Sequence, residues 1–247
     1  MTTIAYQLYC SRKFPPVTAT LKMLADAGYT AVEGYGGLFD DVDGLAAAMA
    51  ENGLTMPSSH IGLDMVEGDP ARTLQIVKTL GIEKVIVPHI APDQRPSDAA
   101  GWAAFAARVA EAGKPYLDAG LVYGWHNHDF ELVELDDGKT PLDHLAGQEG
   151  VSLELDLGWV RIAGKDPAAK IRKYGSSLTA VHVKDIAPKG ECADEDGWAD
   201  VGHGIMDWPK INEALAKVGV THLVAEHDNP NDDARFAKRS LETIKSF

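Results

Sequence analysis

The sequence contains only two cysteines, Cys10 and Cys192, which can form at most one disulfide and provide no disulfide framework. We interpret them as free thiols in a reducing compartment. No apolar run reaches the roughly 18 residues that a membrane helix requires. Residues 1–7 lack the basic and apolar regions of a signal peptide. These absences favour a cytoplasmic protein with no membrane partner.

Basic residues are also scarce, with 23 lysines and arginines against 37 acidic residues and a formal net charge of -14. Neutralisation of phosphates dominates affinity for nucleic acids. The charge therefore predicts no nucleic-acid partner and no binding to anionic membranes. A glycine-rich phosphate loop is missing after the first predicted strand, where the sequence reads Tyr-Cys-Ser-Arg at residues 9–12. This absence argues against a dinucleotide-binding fold.

Strand-like and helix-like segments alternate along the 247 residues, and no linker divides them. The predicted strands are 4–9, 30–33, 54–60, 84–89, 121–127, 151–156, 178–183 and 221–226. The predicted helices are 15–27, 42–51, 69–80, 97–119, 141–146, 167–174, 207–217 and 231–245, with a break near Pro115 and a long loop over 187–206. Such alternation implies parallel strands with right-handed crossovers. We predict one α/β domain over residues 1–247, a single (β/α)8 TIM barrel.

Acidic residues and a histidine lie at or just after the ends of the last four predicted strands, namely Glu131, Asp156, His182 and Glu226. The carboxyl ends of barrel strands meet at one rim, where TIM barrels carry their chemistry. Three carboxylates and one imidazole at this rim predict a site for one divalent metal ion. The oxygen-rich set favours Mn2+, with Mg2+, Co2+ or Zn2+ as alternatives. It leaves coordination positions open for substrate oxygens.

Further polar and aromatic residues end other strands and are candidates for catalysis or substrate binding. His126 and His128 point to the same side of strand five and could act as general bases, or could orient a carboxylate instead. Glu131 and Glu226 are also candidate catalytic groups. Lys184 could hold a substrate oxygen or be a solvated rim lysine. The remaining candidates for substrate contact are Tyr9, Glu33, His60, His89 and Trp159.

The motifs at these strand ends resemble the xylose isomerase-like TIM barrels, the sugar phosphate isomerase/epimerase superfamily, over nearly the whole chain. Gly-Trp-His-Asn-His-Asp-Phe-Glu at 124–131 is the most specific match. It resembles the branch of inosose dehydratases and enzymes of 3-keto sugars and 3-keto glycosides. The motifs at 154–156, 182–185, 201–204 and 226–230 follow in the family's order. The resemblance implies the same four metal ligands.

The chain departs from this family at two positions. Many relatives carry a glutamate directly before the asparagine of strand five, where this chain has His126. The strand-five carboxylate is therefore assigned to Glu131. Relatives often read Gly-Glu-Gly where this chain has Gly-His-Gly at 202–204.

The resemblance implies a metal-dependent isomerase or epimerase acting on a keto sugar or polyol through a metal-stabilised enediolate. One alternative is a metal-dependent lyase or dehydratase acting on inosose or 3-keto glycosides. Another is a non-catalytic sugar-binding barrel. An endonuclease IV-like enzyme would need a basic groove, which the charge disfavours. We expect a small, unphosphorylated sugar substrate and a homodimer.

Overall fold

The computed structural model describes residues 2–247 and contains a closed barrel of eight parallel strands. The strands are β1 (Thr3–Gln7), β2 (Ala31–Tyr35), β3 (Thr55–His60), β4 (Lys84–Val87), β5 (Val122–His126), β6 (Ser152–Asp156), β7 (Leu178–Val183) and β8 (His222–Ala225). Each strand pairs with its neighbours in sequence, and β8 pairs with β1 to close the barrel. The predicted (β/α)8 architecture is confirmed.

Ten α-helices surround the described barrel. They are α1 (Val17–Ala27), α2 (Val42–Glu51), α3 (Leu63–Gly68), α4 (Pro70–Leu80), α5 (Ala99–Asp118), α6 (Pro141–Ala146), α7 (Leu157–Ile162), α8 (Pro167–Tyr174), α9 (Trp208–Val218) and α10 (Asp233–Ile244). The predicted break near Pro115 is wrong, because α5 continues through that residue. The short helices α3 and α7 were not predicted, since six residues give too few turns for a periodic pattern.

The two faces of the strands differ sharply in polarity. Side chains that point outward, such as Trp125, Leu155 and Val181, join one large apolar cluster with the helices. Ala5, Ala31 and Val224 form a separate small cluster. Polar side chains fill much of the remaining interior, including fully buried glutamates and histidines. This division places ionisable groups inside the barrel and leaves the hydrophobic core outside it.

The loop after β7 is held by one carboxylate. Asp185 accepts hydrogen bonds from the backbone N–H groups of Gly202, Gly204 and Met206 and from Trp208 Nε1. Within this loop, Asp185–Ile186 pairs with Trp198–Ala199 in a short antiparallel ladder. The sequence had predicted a loop without structure over 187–206. The ordering therefore comes from contacts with Asp185 that no periodic pattern reveals.

Both cysteines are free, as predicted; Cys10 is buried and Cys192 is partly exposed. Across residues 2–247, no helix combines the length and the hydropathy needed to cross a membrane.

Candidate functional site

Four buried side chains meet at the carboxyl-terminal end of the barrel. His126 ends β5, Asp156 ends β6, His182 lies in β7 and Glu226 follows β8. One ligand atom from each of the four lies within 4.8 Å of the others. Register explains part of this arrangement, because Asp156 pairs directly with His182 across neighbouring strands. The structure therefore brings together three of the four predicted ligands, with His126 as the fourth member.

The atoms of this group face a common point. His182 Nδ1 lies 2.8 Å from Glu226 Oε2 and 3.9 Å from Asp156 Oδ2. His126 Nε2 also lies 3.9 Å from Asp156 Oδ2. Asp156 Oδ1 accepts a hydrogen bond from the backbone N–H of Trp159 at 2.8 Å, whereas Oδ2 is buried with no hydrogen-bond partner. A buried carboxylate oxygen without a partner is costly, so this group suits a bound cation.

Burial shapes the electrostatics of the group. Burial raises the pKa of Asp156 to about 7, with the charge of Lys184 working against it. Burial and neighbouring His182 lower the pKa of His126 to about 3, so this imidazole is neutral. Burial alone would lower the pKa of His182, but the carboxylates of Glu154 and Glu226 raise it well above the usual value. A neutral imidazole and an ionised carboxylate are the forms that bind metals. His126 is already neutral, whereas metal binding at His182 would release its proton.

Glu131 does not join the other three predicted ligands. It lies in a 3-10 turn, Phe130–Leu132, and is fully buried. Trp125 Nε1 donates to its Oε1 at 2.9 Å, and the backbone N–H of His128 donates to its Oε2 at 2.8 Å. The ring of Trp125 packs against Phe105 of α5, so Glu131 turns toward the helices. Because β5 ends at His126, the turn carries Glu131 away from the barrel interior.

A second layer of polar groups lies below the first. Glu154 Oε2 lies 2.6 Å from His60 Nε2, 3.2 Å from His126 Nδ1 and 3.0 Å from His182 Nε2. These four residues form a second group whose ligand atoms are within 4.8 Å of one another. Glu154 was not predicted, although it lies two residues before Asp156 and therefore faces the same side of β6. Parity with a predicted ligand was the signal that could have found it.

We call His126, Asp156, His182 and Glu226 the candidate metal-ligand group. A cavity of about 380 Å³ opens above it. Four of the predicted substrate or catalytic residues besides His126 and Glu226 line it, namely Tyr9, His60, His89 and His128. Tyr35 and Asp228, which were not predicted to contact the substrate, also line the cavity. Tyr35 was missed because β2 extends two residues beyond its predicted end.

Three predicted substrate contacts lie elsewhere. Glu33 is fully buried below the cavity, where it accepts hydrogen bonds from Gln7, at 2.8 Å, and Ser58. Lys184 is also fully buried and donates to Asp228 at 2.7 Å and to Glu226 at 3.1 Å.

Trp159, the third of these residues, packs edge to face against Trp198, with ring centroids 5.0 Å apart. It also lies beside His128, at a centroid distance of 5.2 Å.

His128 combines access to the cavity with a free ring nitrogen. Its Nδ1 is buried without a hydrogen-bond partner. Burial and the neighbouring His126 lower its pKa well below the usual value. A neutral imidazole with an unused nitrogen beside a cavity can accept a proton from a bound molecule.

Two curated bacterial proteins resemble part of the chain. The rhizopine catabolism protein MocC of Rhizobium meliloti is 28% identical over 159 residues, which cover 58% of this chain and 49% of that protein. An inosose dehydratase of Lacticaseibacillus casei is 24% identical over 181 residues, covering 65% of this chain and 58% of the enzyme. The matched region thus spans about half the length of these curated relatives.

The fold comparison extends over the whole chain. A sugar phosphate isomerase/epimerase from Parabacteroides distasonis superposes with a TM-score of 0.82 at 18% identity, covering 99% of this chain and 94% of that structure. A profile of the xylose isomerase-like TIM barrel matches residues 21–247. The chain therefore belongs to the xylose isomerase-like TIM barrel family.

Proposed function

We propose that His126, Asp156, His182 and Glu226 bind one divalent metal ion and that the protein uses it to isomerise or epimerise a keto sugar or keto polyol. The observation that carries this proposal is the convergence of the four ligand atoms below a cavity at the catalytic end of a TIM barrel. The unpartnered Asp156 Oδ2 supports a cation at their centre.

The balance of charge also suits a divalent cation. Even if Lys184, His60 and His182 all carry a positive charge, the carboxylates in contact with them are more numerous. These carboxylates are Glu33, Glu154, Asp156, Glu226 and Asp228. With all five ionised, as metal binding would favour, two negative charges would be in excess, and a divalent ion would offset them.

The donor set differs from the one that the sequence predicted. Replacing Glu131 with His126 gives two nitrogen and two oxygen donors in place of one nitrogen and three oxygens. Imidazole ligands suit Zn2+ and Co2+ better than Mn2+ or Mg2+. We therefore expect Zn2+ or Co2+ to bind more tightly than Mn2+.

A bound divalent ion would polarise the substrate carbonyl and stabilise the charge left when a proton leaves the neighbouring carbon. His128 is our candidate for the base that takes this proton, because its ring lines the cavity and is held neutral. Lys184 holds Glu226 in place by its hydrogen bond at 3.1 Å. Return of the proton to the opposite face would epimerise the substrate, and its return to the adjacent carbon would isomerise it.

The cavity wall supports an uncharged sugar as substrate. None of the residues that line the described cavity is a lysine or an arginine. Tyr9 and Tyr35 pack edge to face at its mouth, with ring centroids 5.3 Å apart. Aromatic rings provide an apolar surface for the C–H face of a sugar ring. A phosphate group would find no lysine or arginine in this wall.

Dehydration is the second candidate reaction, favoured by the sequence match to an inosose dehydratase. Both reactions begin with removal of a proton beside a carbonyl. They differ in whether a hydroxyl on the next carbon then leaves. His60, at the cavity wall, is a candidate donor of a proton to that hydroxyl, because Glu33 and Glu154 raise its pKa against the effect of burial.

The first experiment measures metal content in protein purified without chelator. We expect about one ion per chain in the wild type and none in Asp156→Asn. Glu131→Gln is the matched control, a buried carboxylate outside the ligand group, and should keep its ion. Absence of metal from the wild type, even after dialysis against Zn2+ and Co2+, would contradict the proposal and favour a sugar-binding barrel.

The second experiment tests the reaction with keto sugars, 3-keto glycosides and inososes in D2O. Deuterium entering the carbon beside the carbonyl would report proton removal, and an unsaturated ketone would report dehydration. His128→Gln should lose exchange by at least about 100-fold, the range for loss of a general base, while keeping its metal. Unchanged exchange in this variant would remove His128 as the base.

A further inference from the structure

The layer below the metal-ligand group contains a carboxylate that the proposed reaction does not use. Glu154 is fully buried, and its Oε2 faces imidazole nitrogens of three histidines. Its other oxygen, Oε1, has no hydrogen-bond partner. One carboxyl oxygen can donate at most one hydrogen, so Oε2 accepts hydrogen bonds from most of these nitrogens.

In a hydrogen bond between an imidazole and a carboxylate, the ring N–H donates and the oxygen accepts. His126 Nδ1 lies 3.2 Å from Glu154 Oε2 and has no other recorded partner. The proton of this neutral ring therefore lies on Nδ1, and Nε2 keeps its lone pair. Nε2 is the atom that faces Asp156 Oδ2 at 3.9 Å, inside the ligand group.

His182 is supported from the same layer by two carboxylates. Its Nε2 lies 2.7 Å from Glu33 Oε1 and 3.0 Å from Glu154 Oε2, while its Nδ1 faces Glu226. Loss of either lower carboxylate leaves the other to accept from Nε2. His126 Nδ1 has no second acceptor, so the orientation of its ring depends on Glu154 alone.

We propose that Glu154 is a positioning residue that fixes the tautomer of His126 and so presents Nε2 to the metal ion. This inference rests on the proposed function for its consequence, metal binding, but the tautomer itself is a property of the metal-free protein. Hydrogen bonds of this kind orient metal-bound histidines in many proteins, and their loss typically weakens metal binding 10–100-fold.

The alternative is that Glu154 is itself a ligand of an ion held by His60, His126 and His182. The hydrogen-bond distances argue for positioning, because Glu154 Oε2 already lies within 3.2 Å of three ring nitrogens. Asp156 Oδ2, by contrast, has no hydrogen-bond partner, and its nearest cationic group is Lys184 Nζ at 3.6 Å.

The test uses two substitutions of Glu154 that differ in one property. Glu154→Leu removes both oxygens, whereas Glu154→Gln loses the charge but keeps an acceptor. In metal-free protein labelled with 15N-histidine, we expect the His126 signals of the wild type to show hydrogen on Nδ1. Glu154→Leu should lose this preference and bind Co2+ 10–100-fold more weakly. Glu154→Gln should retain the tautomer and lose less affinity.

Glu33→Gln is the matched control in the same layer, equally buried, and should leave the His126 tautomer unchanged. The inference is overturned if Glu154→Leu keeps hydrogen on Nδ1 and binds Co2+ within threefold of wild type. Two ions per wild-type chain, one of them lost in Glu154→Leu, would make Glu154 a ligand and also overturn it. If the wild type binds no metal, the proposed function fails, and the 15N signals alone decide the tautomer.

Discussion

Two sets of buried carboxylates at the same end of the barrel differ in whether their oxygens have hydrogen-bond partners. Glu131 accepts N–H hydrogen bonds at both oxygens, from neutral donors, on the helix side of β5. Asp156 and Glu226 lie inside the barrel among imidazoles and the ammonium of Lys184, and Asp156 Oδ2 lacks a hydrogen-bond partner. Burial alone therefore does not distinguish these carboxylates. They differ in that Asp156 Oδ2 has no hydrogen-bond partner and faces ring nitrogens of His126 and His182.

The largest expected effect concerns the pH dependence of stability at Glu131. Burial raises its pKa to about 8 in the folded protein. The resulting stability is fully present below the unfolded pKa of about 4.3 and is lost as pH rises toward 8. Glu131→Gln should therefore remove a slope of up to about 1.4 kcal/mol per pH unit between pH 5 and 8.

Urea unfolding of both proteins at several pH values measures this slope. Asp156 has a raised pKa too, but it is present in both proteins, so the difference in slope belongs to Glu131. Equal slopes would show that Glu131 is ionised when folded, and the contrast with Asp156 would weaken.

Metal should stabilise the protein through the barrel carboxylates and not through Glu131. At a free Zn2+ concentration 100 times the Kd, linkage predicts about 2.7 kcal/mol of added stability. We expect this gain, read as a rise in Tm, in the wild type and in Glu131→Gln. Glu226→Gln should show almost none. A gain in Glu226→Gln as large as that of the wild type would remove Glu226 from the ligand group.

Trp125→Phe sharpens the comparison from the side of Glu131. The change deletes the Nε1 donor and keeps an aromatic ring against Phe105. An unpaired buried polar group costs about 1–3 kcal/mol, and we expect a loss of stability in this range. The affinity for Co2+ should change less than about threefold. A large fall in affinity would show that Glu131 acts on the metal site after all.

The smallest effect is expected at Asp228, on the rim of the cavity. Its Oδ1 accepts from Lys184 at 2.7 Å, but its side chain remains 27% exposed. Partly exposed ion pairs contribute about 1 kcal/mol or less. Asp228→Asn should lower stability by no more than this amount in thermal unfolding, because Glu226 still holds Lys184. A much larger loss would place Asp228 with the barrel carboxylates.

Most of the fold could be predicted from the sequence, because parallel strands and amphipathic helices leave strong periodic signals. Residues 42–51, 141–146, 167–174 and 178–183 form the predicted elements with the predicted bounds. Asp156, His182 and Glu226 were found because they end barrel strands. Glu131 was misplaced because the direction of a turn after a strand depends on tertiary contacts, here with Trp125.

Glu154 and Lys184 show the other limit of sequence reasoning. Both lie on the inner face of a strand, yet only the structure reveals how deeply each is buried and which groups it meets. Side-chain reach and burial follow from the closure of the barrel, which brings β3, β5, β6 and β7 around one axis. No local pattern in the sequence predicts these contacts between side chains of different strands.

The carboxylate of Asp185 gives the segment after β7 a cooperative character. Four N–H groups spread over residues 202–208 converge on its two oxygens. A Cβ atom at Gly204 would lie 2.2 Å from Asp185 Oδ1, so only glycine allows the backbone to approach the carboxylate this closely. Loss of this carboxylate would remove all four hydrogen bonds at once. We therefore expect residues 202–208 to loosen together when this carboxylate is removed, as in Asp185→Ala, with limited proteolysis as the measurement.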